Sequence, residues 1–223
     1  MTKEKIYHPC LDENGSPVLI KHPSSSTGPE SWLDPSALAV ASRTDSPSLP
    51  GALNGLAFST DFSVPVEDPQ PWLELAPNIV PGEPDFVMPP GYRATSGCVV
   101  IEPDRRVWVV YPSNEFGGVR CTFPKGRLEP ILSLAQNAAK ETWEESGLYV
   151  EPVEFLCDIV RTHVVTRFYC ARRLSGSPAL AGWESQAVGL APFPQLSTLI
   201  NRVYDLRVLD FLKDRIEAVA ARC

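Results

Sequence analysis

Apolar residues follow two rhythms along this chain, and the change falls near residue 91. Beyond it, the runs 98–102 and 107–111 are rich in valine, isoleucine and aromatic residues, with Pro-Asp-Arg-Arg between them. That pattern predicts a β-hairpin. Gly117 and Gly118 mark a further turn, and 119–123 reads as a short third strand. The stretch 133–146 switches to a helical pattern, with Ser133 as N-cap, alanines in the middle and Gly147 just past the end. Strand-like runs return near 150–160 and 164–171, followed by a Gly/Ser/Pro loop at 175–182 and a short strand at 187–191. Helical stretches at about 194–200 and 203–221 close the chain. Strands, helix, strands, helix is an α/β or α+β order, and it places the core domain at 91–223.

Residues 1–90 obey no such rhythm. They hold most of the 23 prolines, and between residues 17 and 50 serine, proline, glycine and threonine dominate. Only 31–42 offers a short helical possibility there. From Pro65 to Pro90 prolines recur every few residues, interleaved with Trp72, Leu73, Leu75, Ile79, Val80 and Phe86. Proline at that density excludes a regular sheet or a long helix. The apolar side chains are too frequent for a plain linker. We therefore expect residues 1–90 to be a Pro/Ser-rich N-terminal extension, partly extended over the core as an arm or disordered. An arm of this kind favours a swapped or clasped homodimer.

Composition narrows the function. With 223 residues, 43% hydrophobic and 21% charged, the chain is an ordinary globular one. A net charge of −7 argues against general nucleic-acid binding, which needs a basic surface. It leaves room for small anionic ligands held by a local basic pocket or a bound cation. The cysteines Cys10, Cys98, Cys121, Cys157, Cys170 and Cys223 form no C-x-x-C pair, which points to reduced, mostly buried thiols rather than zinc or disulfides. No apolar run approaches the roughly 18 residues that span a bilayer. The first residues carry charge with no apolar stretch behind them, unlike a secretory signal. A cytoplasmic location without membrane attachment is expected.

The chemistry concentrates in two short runs: Pro-Lys-Gly-Arg-Leu-Glu at 124–129 and Lys-Glu-Thr-Trp-Glu-Glu-Ser-Gly-Leu at 140–148. On a helix, residues three and four apart share a face, so Glu141, Glu144 and Glu145 project together. They sit in the last turns, where the helix dipole disfavours carboxylates, and Glu141 and Glu145 repel each other at i,i+4. A divalent cation reverses the sign of both effects, and Mg2+ and Mn2+ prefer oxygen ligands of this type. The alternative is a solvated acidic helix end in which Lys140 pairs with Glu144.

These residues resemble the Nudix box, whose pattern is Gly, five residues, Glu, seven residues, then Arg-Glu-φ-x-Glu-Glu-x-Gly-φ with φ apolar. Gly126 matches the first glycine, and Glu141, Glu144, Glu145, Gly147 and Leu148 match the end with every spacing kept. Three positions depart: Leu132 stands for the early Glu, Lys140 for Arg and Thr142 for φ. The first two departures belong together. In the family that Glu and Arg commonly form a salt bridge bracing the loop on the helix, and losing the acid makes the arginine less necessary.

The resemblance implies a Nudix-type α/β/α sandwich with a mixed sheet, and hydrolysis of a nucleoside diphosphate linked to another moiety. Carried over, Gly126, Glu141, Glu144 and Glu145 hold Mg2+ or Mn2+, which neutralises the diphosphate and activates a water. Glu145, Glu144 and Glu184 are the catalytic candidates, with Glu145 or the later-loop Glu184 as general base. For the substrate we single out Lys125 and Arg127 flanking Gly126, Arg161 and Arg167 on a basic stripe expected to share one strand face with Arg173, and Trp183 as a stacking aromatic. The Phe-Pro-Lys-Gly-Arg-Leu-Glu-Pro loop is similar to members acting on dinucleoside polyphosphates, diphosphoinositol polyphosphates or capped RNA ends. Two other readings stand beside it. One is an ADP-ribose or dinucleotide pyrophosphatase; the other is a Nudix module that binds a nucleotide or a partner without cleaving it.

Overall fold

Alternation along the β-rich runs decides which helix layer each strand feeds. A computed structural model describes residues 5–61 and 68–222. Residues 1–4, Pro65 and Cys223, on which the sequence reading touched, lie outside them. In chain order the elements are β1 (Ile6–Leu11), β2 (Pro17–Ile20), α1 (Pro29–Leu33), β3 (Ala39–Ser42), β4 (Ala52–Leu53), β5 (Leu56–Ala57) and α2 (Trp72–Leu75). Then come β6 (Arg93–Val100), β7 (Arg106–Pro112), β8 (Lys125–Arg127), α3 (Leu134–Ser146), β9 (Leu148–Arg161), β10 (Val164–Gly176), β11 (Ser185–Pro192), α4 (Leu196–Leu199), α5 (Val203–Leu212) and α6 (Ile216–Ala220).

A four-stranded sheet runs β8-β6-β10-β9, with β6 and β10 parallel and the other pairs antiparallel. A three-stranded antiparallel sheet runs β3-β11-β7. Cys98, Val100, Trp108, Tyr169, Ala171, Val188 and Leu190 pack with Ala135, Ala138, Ala139 and Trp143 of α3. Their neighbours Val99, Ile101, Val107, Val109, Phe168 and Cys170 pack with Val208, Leu212 and Val219 of the C-terminal helices. Period two on the strands thus produces two cores and three layers. This is an α/β Nudix-type fold.

Three expectations are corrected. Runs 98–102 and 107–111 meet in a tight turn closed by the Arg105 and Glu102 amides, but only the Ile101–Val107 bridge joins them before they part into different sheets. The run 119–123 contributes one bridge, Thr122 to Val110, while the strand itself is β8. The segment 31–42 is not one helix: Pro35 ends α1, and 39–42 becomes β3 because β11 supplies its hydrogen bonds.

Residues before 91 touch the core at several points. Trp32 and Trp72 are fully buried in the α3-side core. Arg106 donates to the carbonyls of Ser31, Trp32 and Asp34, and Gln136 on α3 donates to the Leu73 carbonyl. Cys98, Cys121, Cys157 and Cys170 are buried, whereas Cys10 is exposed. No helix among the described residues is long and apolar enough to cross a membrane.

Candidate active site

The site is built on the end of α3. Ser133 accepts a hydrogen bond from the Gln136 amide while the Gln136 side chain accepts one from the Ser133 amide, a reciprocal cap. At the other end Gly147 adopts φ 70°, and a Cβ there would collide with the Ser177 carbonyl. These two signals fix the helix length, and the sheet fixes its rotation. Glu141 is therefore turned inward and only 8% exposed. Its carboxylate lies so close over Gly126 that a Cβ on that residue would overlap it. Glu145 accepts a 3.1 Å hydrogen bond from the Lys125 amide, which ties β8 to the helix.

Glu184 arrives from the turn before β11. The Gly182 amide donates to the Glu144 carbonyl at 2.8 Å, the Ser113 amide donates to the Glu184 carbonyl at 2.7 Å, and the Ser113 hydroxyl donates to the Trp183 carbonyl at 2.6 Å. This lacing holds 182–184 against the acidic end of α3. Glu144 turns both oxygens to the Lys140 ammonium, each at 2.7 Å, while Glu129 stands 4.0 Å from the same ammonium. Leu132 is buried in the α3-side core. The brace that the early Glu would have formed with the helix is thus redistributed.

Burial and mutual repulsion strain these acids. Burial, then the charges of Glu145 and Glu144, push the Glu141 carboxyl up to about 9 from an ordinary 4.5. Glu145 is pushed up to about 8 by burial, opposed by Lys125 and reinforced by Glu184. Glu144 rises to about 7 through burial, which the Lys140 hydrogen bond moderates. Glu184 is raised by burial, with Lys140 opposing and Glu13 of the β1–β2 hairpin tip adding to it. Glu141, Glu144 and Glu145 thus share a partly buried site, with the more exposed Glu184 at its rim, and too little positive charge stands among the side chains. Among the described residues no three His, Cys, Asp or Glu side chains converge closely enough to hold a metal ion. The donor set nonetheless fits a hard divalent ion: carboxylate oxygens in excess, with a glycine whose missing Cβ leaves the backbone close to Glu141.

Beside the acids lies a hollow of about 340 Å³ lined by Thr122, Lys125, Glu145, Arg161, Trp183 and Glu184 among others. It brings together Lys125, Arg161 and Trp183 from the sequence reading. Lys125 is pinned there, donating to the Thr122 hydroxyl at 2.5 Å and the Phe123 carbonyl at 3.1 Å, and burial lowers its pKa. Arg127 is solvent-exposed on β8.

Arg167 is elsewhere. It pairs with Asp158, donates to the carbonyls of Pro84 and Asp85, and lies over Phe86 and Phe155. The common face expected for Arg161, Arg167 and Arg173 does not exist. Arg161 ends β9, Arg167 lies beyond the turn on β10, and register shifts after Phe168 and Cys170 move Arg173 to Glu102. Sequence reasoning passed over Thr122, Glu13 and Asp205. Asp205 accepts from the Thr122 hydroxyl at 2.8 Å and lies 3.6 Å from Arg161, yet in the sequence it is one more acid on a helix.

The NUDIX domain family model matches residues 91–206. A search of curated proteins gives no significant match. Among solved structures, a NUDIX hydrolase from Nitrosomonas europaea is 15% identical, with 55% of this chain and 89% of that one covered and a TM-score of 0.48. The MutT protein of Methanosarcina mazei Go1 is 14% identical over 58% of this chain and 99% of its own, at TM-score 0.46. An ADP-ribose pyrophosphatase from Streptococcus suis 89-1591 is 20% identical over 56% and 90%, at TM-score 0.46. The family model spans more than half of the sequence and includes the glycine loop, the acidic helix and the pocket strands, so the chain belongs to the Nudix family of pyrophosphohydrolases.

Proposed function

We propose that the chain hydrolyses the pyrophosphate bond of a nucleoside diphosphate linked to another moiety, with Mg2+ or Mn2+, and that its preferred substrate is a dinucleoside polyphosphate or a similar polyphosphate. One observation carries this reading. Glu141, Glu144 and Glu145, their carboxyls raised by burial and by neighbouring acids, stand beside a hollow that Glu145 and Glu184 line together with Lys125 and Arg161.

Glu141, Glu144 and Glu145, with the Gly126 carbonyl, would hold the metal, which when bound supplies neutralisation of the diphosphate and a more acidic attacking water. Lys125 and Arg161 hold the phosphate oxygens on the opposite wall. Lys125 suits that role because its stem is fixed by Thr122 and Phe123, so little freedom is lost on binding. Glu184 is the general base in this scheme. It lines the hollow, and its raised carboxyl keeps a proton affinity closer to neutrality than an ordinary glutamate. Glu145 is the less suited, being already engaged by the Lys125 amide and assigned to the metal. Trp183 on the same wall offers a face for a nucleobase.

The test is a panel of dinucleoside polyphosphates, ADP-ribose and dinucleotides with Mg2+ or Mn2+, comparing the wild type with Glu145→Gln and identifying products. Metal-dependent cleavage that disappears in the variant, fastest on the polyphosphates, supports the proposal. ADP-ribose as the best substrate would move the assignment to a diphosphate-sugar pyrophosphatase. Tight nucleotide binding without any cleavage would make the domain a recognition module, a role compatible with Lys140 occupying both oxygens of Glu144.

A further inference from the structure

The hollow beside the acids does not end at Arg161. A second one, of about 610 Å³, shares Val119, Lys125 and Arg161 with it and continues toward the N-terminal end of α5, where Asn201, Arg202, Tyr204 and Asp205 line it. Lys125 and Arg161 therefore form a party wall between two spaces, only one of which contains the acidic cluster.

The charges of the second space are lopsided. Lys125, Arg161 and Arg202 bring three cations, and Asp205 brings one carboxylate. Asp205 is 2% exposed, lies 3.6 Å from Arg161 and 4.0 Å from Lys125, and keeps one oxygen without a hydrogen bond. It orients the two wall cations and cancels one charge, leaving a surplus of two. Arg202 is exposed, and no hydrogen bond or ion pair involving its side chain is found among the described residues. Its guanidinium lies over the Gly117–Gly118 turn, where both residues have positive φ. That turn is fastened to the start of α5, since Asn201 donates to the Gly118 carbonyl and accepts from the Arg120 amide, each at 2.8 Å. The sequence thus fixes the floor and leaves the arginine above it uncommitted.

We propose that this second hollow is an anion subsite for the third and later phosphates of a linear polyphosphate chain, with Arg202 as the residue that recognises them. The inference rests on the proposed polyphosphate reading, and it supplies the reason for it. The first two phosphates lie over the acidic helix end, Lys125 and Arg161 bridge, and Arg202 meets what extends beyond. A diphosphate ends before it reaches Arg202. Asn201 is a positioning residue for this floor, and Tyr204 walls the side.

Calorimetric titration with inorganic pyrophosphate and inorganic tripolyphosphate in the presence of Mg2+ tests the subsite without requiring turnover of a nucleotide. Wild-type protein is expected to bind tripolyphosphate about tenfold or more tightly than pyrophosphate, a gain of order one charge-assisted contact. Arg202→Ala should bring the two ligands within about twofold, and Arg202→Lys should retain most of the preference. Arg105→Ala removes a cation from a surface turn, where it pairs with Glu217, and should leave the preference whole. Equal binding of both ligands by the wild type overturns the proposal. So does a preference that survives Arg202→Ala, or one that Arg105→Ala erases equally well, since that outcome reports only overall charge. A protein with the expected binding pattern that cleaves no nucleotide would sink the hydrolytic reading and keep the subsite. Cleavage without the pattern would do the reverse.

Discussion

Two groups of charges in this protein are treated in opposite ways. Arg106, 1% exposed, has its guanidinium taken up by the Asp104 carboxylate and the carbonyls of Ser31, Trp32 and Asp34. Arg167 is served in the same fashion by Asp158 and the carbonyls of Pro84 and Asp85. Both fasten residues before 91 to the core with nearly every donor met. Glu141, Glu144, Glu145 and Glu184 share little more than the Lys140 ammonium on Glu144 and the Lys125 amide on Glu145, and their carboxyls are all raised. A charge that exists for stability is surrounded until its desolvation is compensated. A charge kept for a ligand stays uncompensated until the ligand arrives, and the fold bears the cost meanwhile.

The largest effect should come from removing one of the wanting charges. Glu145→Gln is expected to lower kcat by about 10²–10⁴-fold, the span associated with loss of a positioned acid-base or metal-binding group. The melting temperature of its metal-free form should stay level or rise, because one of the mutually repelling carboxylates is gone. Initial rates with Mn2+ and a calorimetric scan on the same preparation decide it. A variant that keeps full activity, or melts well below the wild type, would place Glu145 among the structural charges instead.

Arg106→Ala should do the opposite. Leaving Asp104 partly buried and three carbonyls without their donor is expected to cost about 3–5 kcal/mol. Denaturant unfolding should register that loss, while the kcat of the folded fraction stays within about twofold. If activity falls as far as stability does, the segment around Trp32 contributes to the site as well as to the core.

This contrast also marks what could be read from the sequence. The end of α3 was legible because its signals are local: Ser133 and Gly147 bracket it, and the spacing from Gly126 to Glu141 is a property of one short segment. Arg161, Arg167 and Arg173 were not separable by such means. They look like one stripe, and only the turn after Arg161 and the register shifts in β10 send them to a pocket, an arm clasp and the buried Glu102. β3 was hidden for a related reason. Residues 39–42 are as compatible with helix as with strand until β11, almost 150 residues later, offers its edge. Asp205 reads as one more acid on a terminal helix, and Arg202 falls in the gap before it. Their nearness to Lys125 is a tertiary fact.

The unmet charges should also reveal themselves through pH. The folded-state carboxyls of Glu141, Glu144 and Glu145 stand at about 9, 7 and 8, against 4.5 in the unfolded chain. Between those values the folded, metal-free protein binds more protons than the unfolded one, so its stability falls as pH rises from about 5 toward 9. Lys125, lowered by burial, pulls the other way toward the alkaline end and is outnumbered. A series of melting curves in chelator should descend across that window, and Mn2+ should restore most at its upper end, where metal binding need release fewest protons. Melting temperatures that climb with pH in chelator would mean the acids are already compensated by something other than a metal.

The smallest effects concern the brace around Lys140, and they ask to which group of charges it belongs. The ammonium is 5% exposed and contacts both oxygens of Glu144 at 2.7 Å, whereas Glu129 is 40% exposed at 4.0 Å. A separated, half-exposed pair is worth about 0–1 kcal/mol, so Glu129→Gln should change stability by less than about 0.5 kcal/mol. Lys140→Met removes the counter-charge that moderates Glu144, and should cost about 1–3 kcal/mol in chelator. It should cost less with Mn2+ present, because a metal then takes over the carboxylate. Comparing the two variants with and without Mn2+ separates two accounts of Leu132. If Lys140→Met is the costlier in chelator and its penalty shrinks with metal, the missing acid at 132 has been answered within the helix, and the brace is part of the metal site. If Glu129→Gln is the costlier and metal changes neither value, the loop has recovered its acid three residues early, and Lys140 belongs with the arginines as a structural cation.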